Sequence, residues 1–173
     1  MAARPKRPNA LAGRPVEPLD GRAARVAALD ALARRDYSTE DLRLKLLEKG
    51  YDGSVVLPLL DALRDEKLLD DRRYLENFVT YHAARGQGPL RVRLELRRHG
   101  LQGTLVEEYL DTYPDWLAQL NRARLKKFGG KSPKNYAERQ QQARFLGYRG
   151  FTSAQIRLAL GFDVELDAGT EET

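Results

Sequence analysis

A six-residue pattern that recurs every fifty residues constrains this chain more than any other feature. It occupies residues 46–51, 96–101 and 146–151. In each copy a Leu stands four residues before a Gly, a basic residue precedes that Gly, and a large apolar residue follows it. Matching apolar residues continue the register without a gap, upstream at 28, 78 and 128 and downstream at 56, 106 and 156 and at 60, 110 and 160. A fixed period of this size indicates stacked supersecondary units, each too small to bury its own apolar face.

The pattern has the composition of a helix that ends at its glycine. Gly50, Gly100 and Gly150 can adopt the left-handed backbone conformation that ends many helices, because they lack a Cβ atom. The preceding cation suits the negative end of the helix dipole. The following apolar residue can fold back onto the last turn, as in a Schellman ending. Each unit therefore contains helices joined at a terminating glycine.

The fold class that follows is all-α, an elongated tandem array of three three-helix repeats. Few segments alternate with period two, so no sheet is predicted. Prolines and glycines near the amino terminus predict a basic, Pro-rich disordered tail, and an acidic run predicts a tail at the other end. The expected domains are the tail 1–21, the repeats 22–66, 67–112 and 113–162, and the acidic tail 163–173.

Local signals predict helix ends and buried positions. Ser38, Asp70 and Thr152 are expected to cap helices, the last in a capping box with Gln155. Ser132 is likewise expected to cap a helix that begins with the following proline. Helical spacing also predicts several inward-facing residues whose burial the fold can test: Val26, Leu29 and Ala33 in the first helix, and Leu90, Leu125 and Tyr136 in later helices.

Composition excludes several classes of site. The chain has no cysteine and two histidines, His82 and His99, so disulfides and a His/Cys zinc site are not expected. No apolar run approaches the roughly 18–20 residues that span a bilayer. The basic amino terminus lacks the apolar segment of a secretory signal. We therefore expect a cytoplasmic protein that does not enter a membrane.

The net charge of +5 is unevenly distributed. Residues 163–173 hold five acids and no Lys or Arg, so the preceding 162 residues carry thirty basic side chains against twenty acidic ones, a net charge of +10. A basic body favours a polyanionic partner, although a solvated charged face is an equally good explanation of charge alone. The candidate contacts to acidic protein surface or phosphate are Arg72, Arg73, Arg85, Arg91, Arg93, Arg97, Arg98, Lys126, Lys127, Arg139 and Arg144.

Several longer motifs resemble those of the RecX family of bacterial recombinase regulators. The resemblance covers roughly residues 24–161. It is carried by Leu-Leu-Asp-Asp-Arg-Arg-Tyr at 68–74 with Phe78, Gly-Gln-Gly-Pro at 86–89 with Arg91 and the Glu-Leu pair at 95–96, Gly-Leu at 100–101, and Arg-Gly-Phe at 149–151. The chain departs from the family at Leu75, where Ala is common, and at Val92 and Leu101, where Ile is common. The changes at Val92 and Leu101 are similar in volume.

The resemblance implies a regulatory role in DNA repair, homologous recombination and the SOS response. Members of the family bind RecA filaments along the helical groove and restrain ATPase, coprotease and strand-exchange activities, and some also touch DNA. The implied partner is the RecA filament, with contact to single- or double-stranded DNA left open. The family has no catalytic residues, so no catalytic, metal or cofactor site is expected. The chain is expected to be a monomer, because an array can bury its own core.

Other interpretations remain open at this level. Each three-helix unit also resembles a helix-turn-helix module, which would make the chain a direct DNA-binding protein acting without RecA. An enzyme is disfavoured because no cluster of titratable residues converges in the sequence, and a scaffolding role stays open. Asp70 and Asp71 fit a helix cap better than a metal site. The aromatic residues, spaced as helix positions, fit a core better than a base-stacking platform.

Overall fold

The computed structural model of this protein describes residues 17–130 and 132–161. These residues form nine α-helices and no strand, which confirms the all-α class. Most of the predicted basic tail and the acidic tail lie outside the described residues. The helices are α1 (Gly21–Leu32), α2 (Thr39–Glu48), α3 (Gly53–Asp65), α4 (Asp71–Ala84), α5 (Pro89–Arg98), α6 (Thr104–Thr112), α7 (Trp116–Phe128), α8 (Tyr136–Tyr148) and α9 (Ser153–Leu160).

The predicted glycine-terminated endings are present in all three copies. The backbone φ angles of Gly50, Gly100 and Gly150 are 95°, 75° and 85°, in the left-handed region. In each copy the amide of the residue after the glycine donates to the carbonyl of the repeated leucine, with N···O distances of 3.2, 2.9 and 3.1 Å. These are the long bonds of a Schellman ending. The repeated sequence thus encodes one helix-stopping structure three times.

Helix starts follow the predicted caps with one exception. The side chains of Ser38 and Asp70 accept hydrogen bonds from backbone amides at the starts of α2 and α4, and Thr152 forms the predicted capping box with Gln155. The expectation that Ser132 caps the second helix of the third repeat is wrong.

The true start of α8 lies three residues further along. Asn135 is the N-cap, in an extended backbone conformation, and its side-chain oxygen accepts from the amide of Glu138 at 2.9 Å. The Glu138 carboxylate in turn accepts from the amide of Lys134 at 2.8 Å. Asparagine is as good a cap as serine, and here it satisfies an amide of the first turn while Pro133 stays outside the helix.

The chain divides into two compact units with the boundary between Leu69 and Asp70. The first unit holds α1 to α3 around a core of its own. The second unit holds α4 to α9 around a single core to which both later repeats contribute. The fully buried residues of that second core include Leu75, Val79, Val92, Leu96, Leu120, Leu146 and Ile156.

Small side chains, and not the larger ones predicted, form the buried face of α1. Ala24, Ala28 and Ala31 are buried, whereas Val26 is 64% exposed and Leu29 36% exposed. The predicted burial of Val26, Leu29 and Ala33 is therefore wrong. Both sets have helical spacing, so periodicity alone could not choose between them. The alanine face was selected because α1 packs against both α2 and α3, where small residues allow a close approach.

Three further apolar residues predicted to be buried are exposed. Leu90, Leu125 and Tyr136 are 47%, 58% and 69% exposed. Each lies within one turn of a helix end, in α5, α7 and α8 respectively. The core of the second unit is filled by residues nearer the middle of these helices, so the terminal positions are left at the surface.

Backbone hydrogen bonds join the second and third repeats within the second unit. The amide of Gly88 donates to the carbonyl of Arg149 at 2.7 Å, and the amide of Leu90 donates to that of Gly150 at 3.0 Å. Gly88 and Gly150 are both buried. A Cβ atom on Gly88 would lie 2.3 Å from the amide nitrogen of Phe151. The loop before α5 is therefore held directly against the repeated ending of α8.

Candidate functional site

The arginines of α5 form two pairs on the half of the helix that faces away from the core. At about 100° per residue, Arg91 and Arg98 are separated by about 20° around the axis, and Arg93 and Arg97 by about 40°. The buried residues Val92 and Leu96 lie on the opposite face of the helix. The four arginines therefore span an arc of about 160° on the outward side of α5, with Arg93 and Arg97 at one edge and Arg91 and Arg98 at the other.

Two of the four arginines are already neutralised within the protein. Arg93 pairs with Glu107 of α6 at 2.6 Å, and its side chain is 26% exposed. Arg98 pairs with Glu95, one turn earlier, at 3.1 Å. Arg91 and Arg97 form no ion pair with any carboxylate of the described residues. Among the α5 arginines, these two can offer a full charge to a partner.

The other predicted cations are distributed over α4, α7 and α8. Arg72 pairs with Glu76 at 3.2 Å, and Arg73 follows it in the first turn of α4. Arg144 is exposed on α8, and Arg139 lines a small surface cleft of about 240 Å³ together with Arg124. The structure does not bring these residues together with the arginines of α5 into one cluster.

Three of the predicted cations do meet, in a cleft between α7 and the carboxyl ends of α4 and α8. Arg85, Lys126 and Lys127 line it, together with Arg122 and Arg149, which were not predicted from the sequence. The cleft has a volume of about 350 Å³. We call it the basic cleft; its remaining lining residues are Ala84, Gly86, Gln119, Ala123 and Phe145.

Close packing of the loop after α4 against α7 shapes one wall of the basic cleft. A Cβ atom on Gly86 would lie 3.0 Å from the Cβ of Ala123, so these two elements are in near contact. The guanidinium of Arg149 lies 5.3 Å from the centre of the Phe145 ring and donates to the carbonyl of Arg85 at 3.5 Å. Arg85 in turn lies over the Tyr81 ring and donates to its hydroxyl at 2.9 Å. The two arginines are held by aromatic rings, one carbonyl and one hydroxyl instead of by acids.

The electrostatic character of the basic cleft is uniformly positive. No carboxylate is among its lining residues, and none of its five cations forms an ion pair with a carboxylate in the part of the chain that the structure describes. Gln119 lies in the same lining with 8% of its surface exposed. Its side-chain oxygen is buried and has no hydrogen-bond partner. A buried amide without a partner is costly and therefore uncommon.

A sequence signal for the missed residues exists in α7. Gln119, Arg122, Ala123 and Lys126 recur at the spacing of one helix face, so this polar and basic stripe along α7 marks the face on which the basic cleft forms. Arg149 could not be identified in this way, because a basic residue before Gly150 is expected at a helix carboxyl end whether or not it has a second role. Only folding brings it next to Arg85.

Two tyrosines of the second unit have altered acidity, and both changes disfavour ionisation. Burial raises the pKa of Tyr109, and the Glu76 carboxylate adds to the effect. Burial also raises the pKa of Tyr113, with a further contribution from Asp115. Both phenols therefore stay protonated near neutral pH and pack against the core of the second unit. The ring centres of Tyr113 and Trp116 are 4.8 Å apart, and those of Tyr109 and Tyr113 are 6.2 Å apart.

Two other classes of site are not found in residues 17–130 and 132–161. No group of three or more metal-ligating side chains is present there. None of the helices in this part of the chain is both long enough and apolar enough to span a membrane. Asp70, which the sequence offered as a metal ligand or a cap, accepts from the amides of Arg72 and Arg73 as a cap.

Comparison with protein families assigns all three repeats. Residues 24–63, 70–110 and 114–160 match the models of the first, second and third three-helix domains of RecX, respectively. These ranges cover most of the chain and follow the same order as the repeats.

Individual proteins give the same result. A regulatory protein RecX from Halorhodospira halophila is 44% identical over 79% of this chain and 86% of its own length. One from Pseudomonas entomophila is 40% identical over 82% of this chain and 93% of its own length. The crystal structure of RecX from Lactobacillus salivarius superimposes with a TM-score of 0.74 at 20% identity, covering 82% of this chain and 95% of that one. The last similarity concerns the fold alone.

Proposed function

This chain belongs to the RecX family of regulatory proteins, and from that membership we propose that it binds the RecA nucleoprotein filament and inhibits its ATPase, coprotease and strand-exchange activities. The observation that carries the proposal is the complete set of three RecX domains in one chain, in order. Through this inhibition the protein would limit recombinational DNA repair and the SOS response. It would act in the cytoplasm, as a monomer and without catalysis.

The fold supports the proposal through its repetition. Three similar helical units can contact several subunits of a polymer, because a repeated surface can meet a repeated partner. The proposed domain boundaries are those of the sequence repeats, 22–66, 67–112 and 113–162, between the two tails.

The proposed contacts are the eleven cations selected from the sequence, in an order set by their pairing. Among the four arginines of α5, Arg91 and Arg97 rank first because neither forms an ion pair with a carboxylate of the residues that the structure describes. Arg93 and Arg98 rank lower, since a partner would have to compete with Glu107 and Glu95 for them. An exposed cation that has no ion pair in the free protein can bind an acidic surface without first breaking an existing interaction, unlike a cation that is already paired.

The test measures DNA-stimulated ATP hydrolysis by RecA filaments on single-stranded DNA. The wild-type protein, added well below one molecule per RecA subunit, is expected to inhibit hydrolysis. The variant Arg91→Glu/Arg97→Glu is expected to need at least about tenfold more protein for the same inhibition, the factor expected when one charge-assisted hydrogen bond is removed. Circular dichroism would verify that the variant keeps its helices.

A control variant with the same change in net charge separates a specific interaction from a general effect of charge. Arg22→Glu/Lys49→Glu lowers the net charge by the same amount, at two exposed residues of the first unit. It should inhibit like the wild type. Absence of inhibition by the wild-type protein would refute the proposed function, and equal weakening in both variants would remove Arg91 and Arg97 from the proposed interface.

Direct DNA binding without RecA is the second candidate function, and the basic cleft is the observation that favours it. The two functions differ in their requirements. Filament binding needs RecA, nucleotide and DNA together, whereas direct binding needs DNA alone and weakens steeply as salt rises.

A further inference from the structure

We propose that the outward face of α5 is a docking surface for a protein, and that it fits an apolar groove bordered on both sides by carboxylates. The centre of this face is a pair of exposed side chains, Leu90 and Leu94, which we call the leucine ridge. The proposal rests on the proposed function, because it names the chemistry that the RecA filament presents to Arg91 and Arg97.

The leucine ridge lies opposite the buried side of α5. At about 100° per residue, Leu94 is separated from Val92 and from Leu96 by about 160° around the helix axis. Those two residues are fully buried in the core of the second unit, whereas Leu94 is 51% exposed and Leu90 is 47% exposed. Helix α5 therefore directs a second apolar stripe away from the core that it helps to fill.

The fold of the second unit gives no packing role to Leu94. Leu90 lies in the first turn of α5, where a side chain is easily left at the surface, but Leu94 lies in the middle of the helix. Helix α5 packs against α4 and α6, and Leu94 stays half exposed beside both of them. Leucines four residues apart are neighbours on a helix surface, so the two form one continuous apolar stripe instead of scattered exposed residues.

Arginines border the leucine ridge on both sides. Around the helix axis, Arg97 lies about 60° from Leu94 on the side of Leu90, and Arg91 lies about 60° from it on the other side. Both arginines are exposed, and neither forms an ion pair with a carboxylate in the part of the chain that the structure describes. The order across the face is therefore cation, apolar ridge, cation.

This order determines the chemistry of the occupant. A complementary surface has acidic groups that meet the two arginines and, between them, an apolar groove that removes the leucine side chains from water. An apolar centre surrounded by a charged or polar rim is the usual organisation of an interface between proteins. The face of α5 therefore fits an acidic protein surface with an apolar centre.

Nucleic acid and membranes fit this face less well. A phosphodiester strand matches the arginines, but it brings a further charge to the position where the leucine ridge needs apolar surface. An anionic bilayer offers both charge and apolar depth. Helices that bind bilayer surfaces bury a long apolar face, however, whereas α5 has ten residues and exposes two leucines.

The test is inhibition of DNA-stimulated ATP hydrolysis by RecA filaments, measured with the full-length protein. The variant Leu90→Gln/Leu94→Gln keeps the helix propensity of α5 and removes the apolar ends of the two side chains. It should need at least about tenfold more protein than the wild type for the same inhibition, the factor that corresponds to completing the burial of two half-exposed leucines. Circular dichroism would verify that the variant keeps its helices.

The salt dependence distinguishes the apolar contribution from the charged one. Raising the sodium chloride concentration should reduce the defect of Arg91→Glu/Arg97→Glu, because dissolved ions screen exposed charges. The defect of the leucine variant, taken as a ratio to the wild type at the same salt concentration, should stay constant. A leucine defect that falls with salt in parallel with the arginine defect would overturn the proposal.

Two leucines of the first unit provide a matched control. Leu44 on α2 and Leu57 on α3 are 48% and 55% exposed, close to the values for the leucine ridge. Leu44→Gln/Leu57→Gln should inhibit like the wild type. Equal weakening in this control, or wild-type inhibition by the leucine variant, would overturn the proposal.

The same leucine variant also tests the other two classes of occupant. Wild type and variant are compared, without RecA, for co-sedimentation with phosphatidylglycerol vesicles and for binding to a labelled fifteen-residue oligothymidylate. The leucine substitutions should change neither measurement. A loss of about tenfold or more in either one would assign the leucine ridge to a membrane or to nucleic acid, and it would overturn the proposal.

Because the sequence has no cysteine, a cross-linker can be attached at one position to identify the partner surface. Leu94→Cys, labelled with a benzophenone maleimide, places a photoreactive group at the centre of the face. The cross-linked RecA peptides, identified by mass spectrometry, should contain apolar residues bordered by Asp or Glu. Cross-links confined to DNA, or to a RecA surface without carboxylates, would overturn the proposal.

A failure of this proposal and a failure of the proposed function are distinguishable. If the wild-type protein does not inhibit RecA, the proposed function fails, and the docking surface that rests on it fails too. If the wild type inhibits and Arg91→Glu/Arg97→Glu is defective, inhibition by the leucine variant equal to that of the wild type would overturn the leucine ridge alone.

Discussion

Replacement of Gly88 by Ala tests how the second and third repeats are joined. Gly88 has φ −86° and ψ 171°, an extended conformation that alanine adopts without strain. Alanine restricts the unfolded chain and would by itself stabilise the protein by about 0.4–1 kcal/mol, so a loss of stability must come from what the new methyl group touches. It would lie 2.3 Å from the Phe151 nitrogen and 2.4 Å from the carbonyl carbon and oxygen of Gly150, which are backbone atoms that cannot rotate away.

The magnitude follows from the bonds that this collision breaks. Separating the two segments removes the hydrogen bonds from Gly88 to Arg149 and from Leu90 to Gly150, of 2.7 and 3.0 Å. Each is worth about 1 kcal/mol net, and a buried donor left without a partner costs about 1–3 kcal/mol, so we expect the free energy of unfolding to fall by about 2–4 kcal/mol. For a unit of roughly a hundred residues this lowers Tm by about 4–8 °C per kcal/mol.

The single tryptophan provides a probe confined to the second unit. Trp116 is buried there, and its indole donates to the carbonyl of Leu110 at 2.7 Å. Its fluorescence during urea unfolding should show the destabilisation in Gly88→Ala. Gly53→Ala adds the same methyl group in the first unit, where nothing lies within 4 Å of a Cβ atom, so it should leave the Trp116 transition unchanged. A Gly88→Ala variant within about 0.5 kcal/mol of the wild type would refute the reasoning, since that is the usual range for surface substitutions.

Three further changes test other parts of the fold. Asp52→Ala removes the cap of α3. Hydrogen bonds from the Ser54 side chain and amide lower the pKa of the Asp52 carboxyl in the folded protein. The stabilisation by this carboxylate is therefore present above a pH of about 4, and it is lost as the pH falls through the lowered pKa of the folded state. Thermal melts of wild type and variant should therefore differ at pH 7, and the difference should shrink as the pH falls below about 4; a difference that stays constant would contradict the assignment. Pro58→Ala should stabilise the first unit by about 1–2 kcal/mol. Proline in a helix interior destabilises the fold by about 3 kcal/mol, and this is offset by about 1 kcal/mol because proline also restricts the unfolded chain. A lower Tm in the variant would contradict this expectation. Leu75→Ala, at a fully buried position, should cost about 2–5 kcal/mol by Trp116 fluorescence, and a cost below about 1 kcal/mol would mean that the site is not tightly packed.

The candidate site was only partly predictable from sequence. Arg85, Lys126 and Lys127 were selected because they are basic, but so were Arg93 and Arg98, which the structure shows in ion pairs. A sequence displays charge without showing which carboxylate lies beside it. Glu95 is one turn from Arg98 and could have been paired with it, whereas Glu107 meets Arg93 only because α6 packs against α5.

The sequence by itself determined the three repeated helix endings and most of the helix starts. The repeated endings at Gly50, Gly100 and Gly150, and the caps at Ser38 and Asp70, depend on residues within a few positions of one another. Such interactions are local, so they can be read in order along the chain.

Only the tertiary structure decided which faces are buried and which cations meet. The alanine face of α1 and the union of two repeats in one core both depend on neighbours distant in sequence. Arg85 and Arg149 are 64 positions apart, yet the hydrogen bond between them forms a wall of the basic cleft. The physical reason is that burial and ion pairing depend on separation in space, which helical periodicity along one element does not specify.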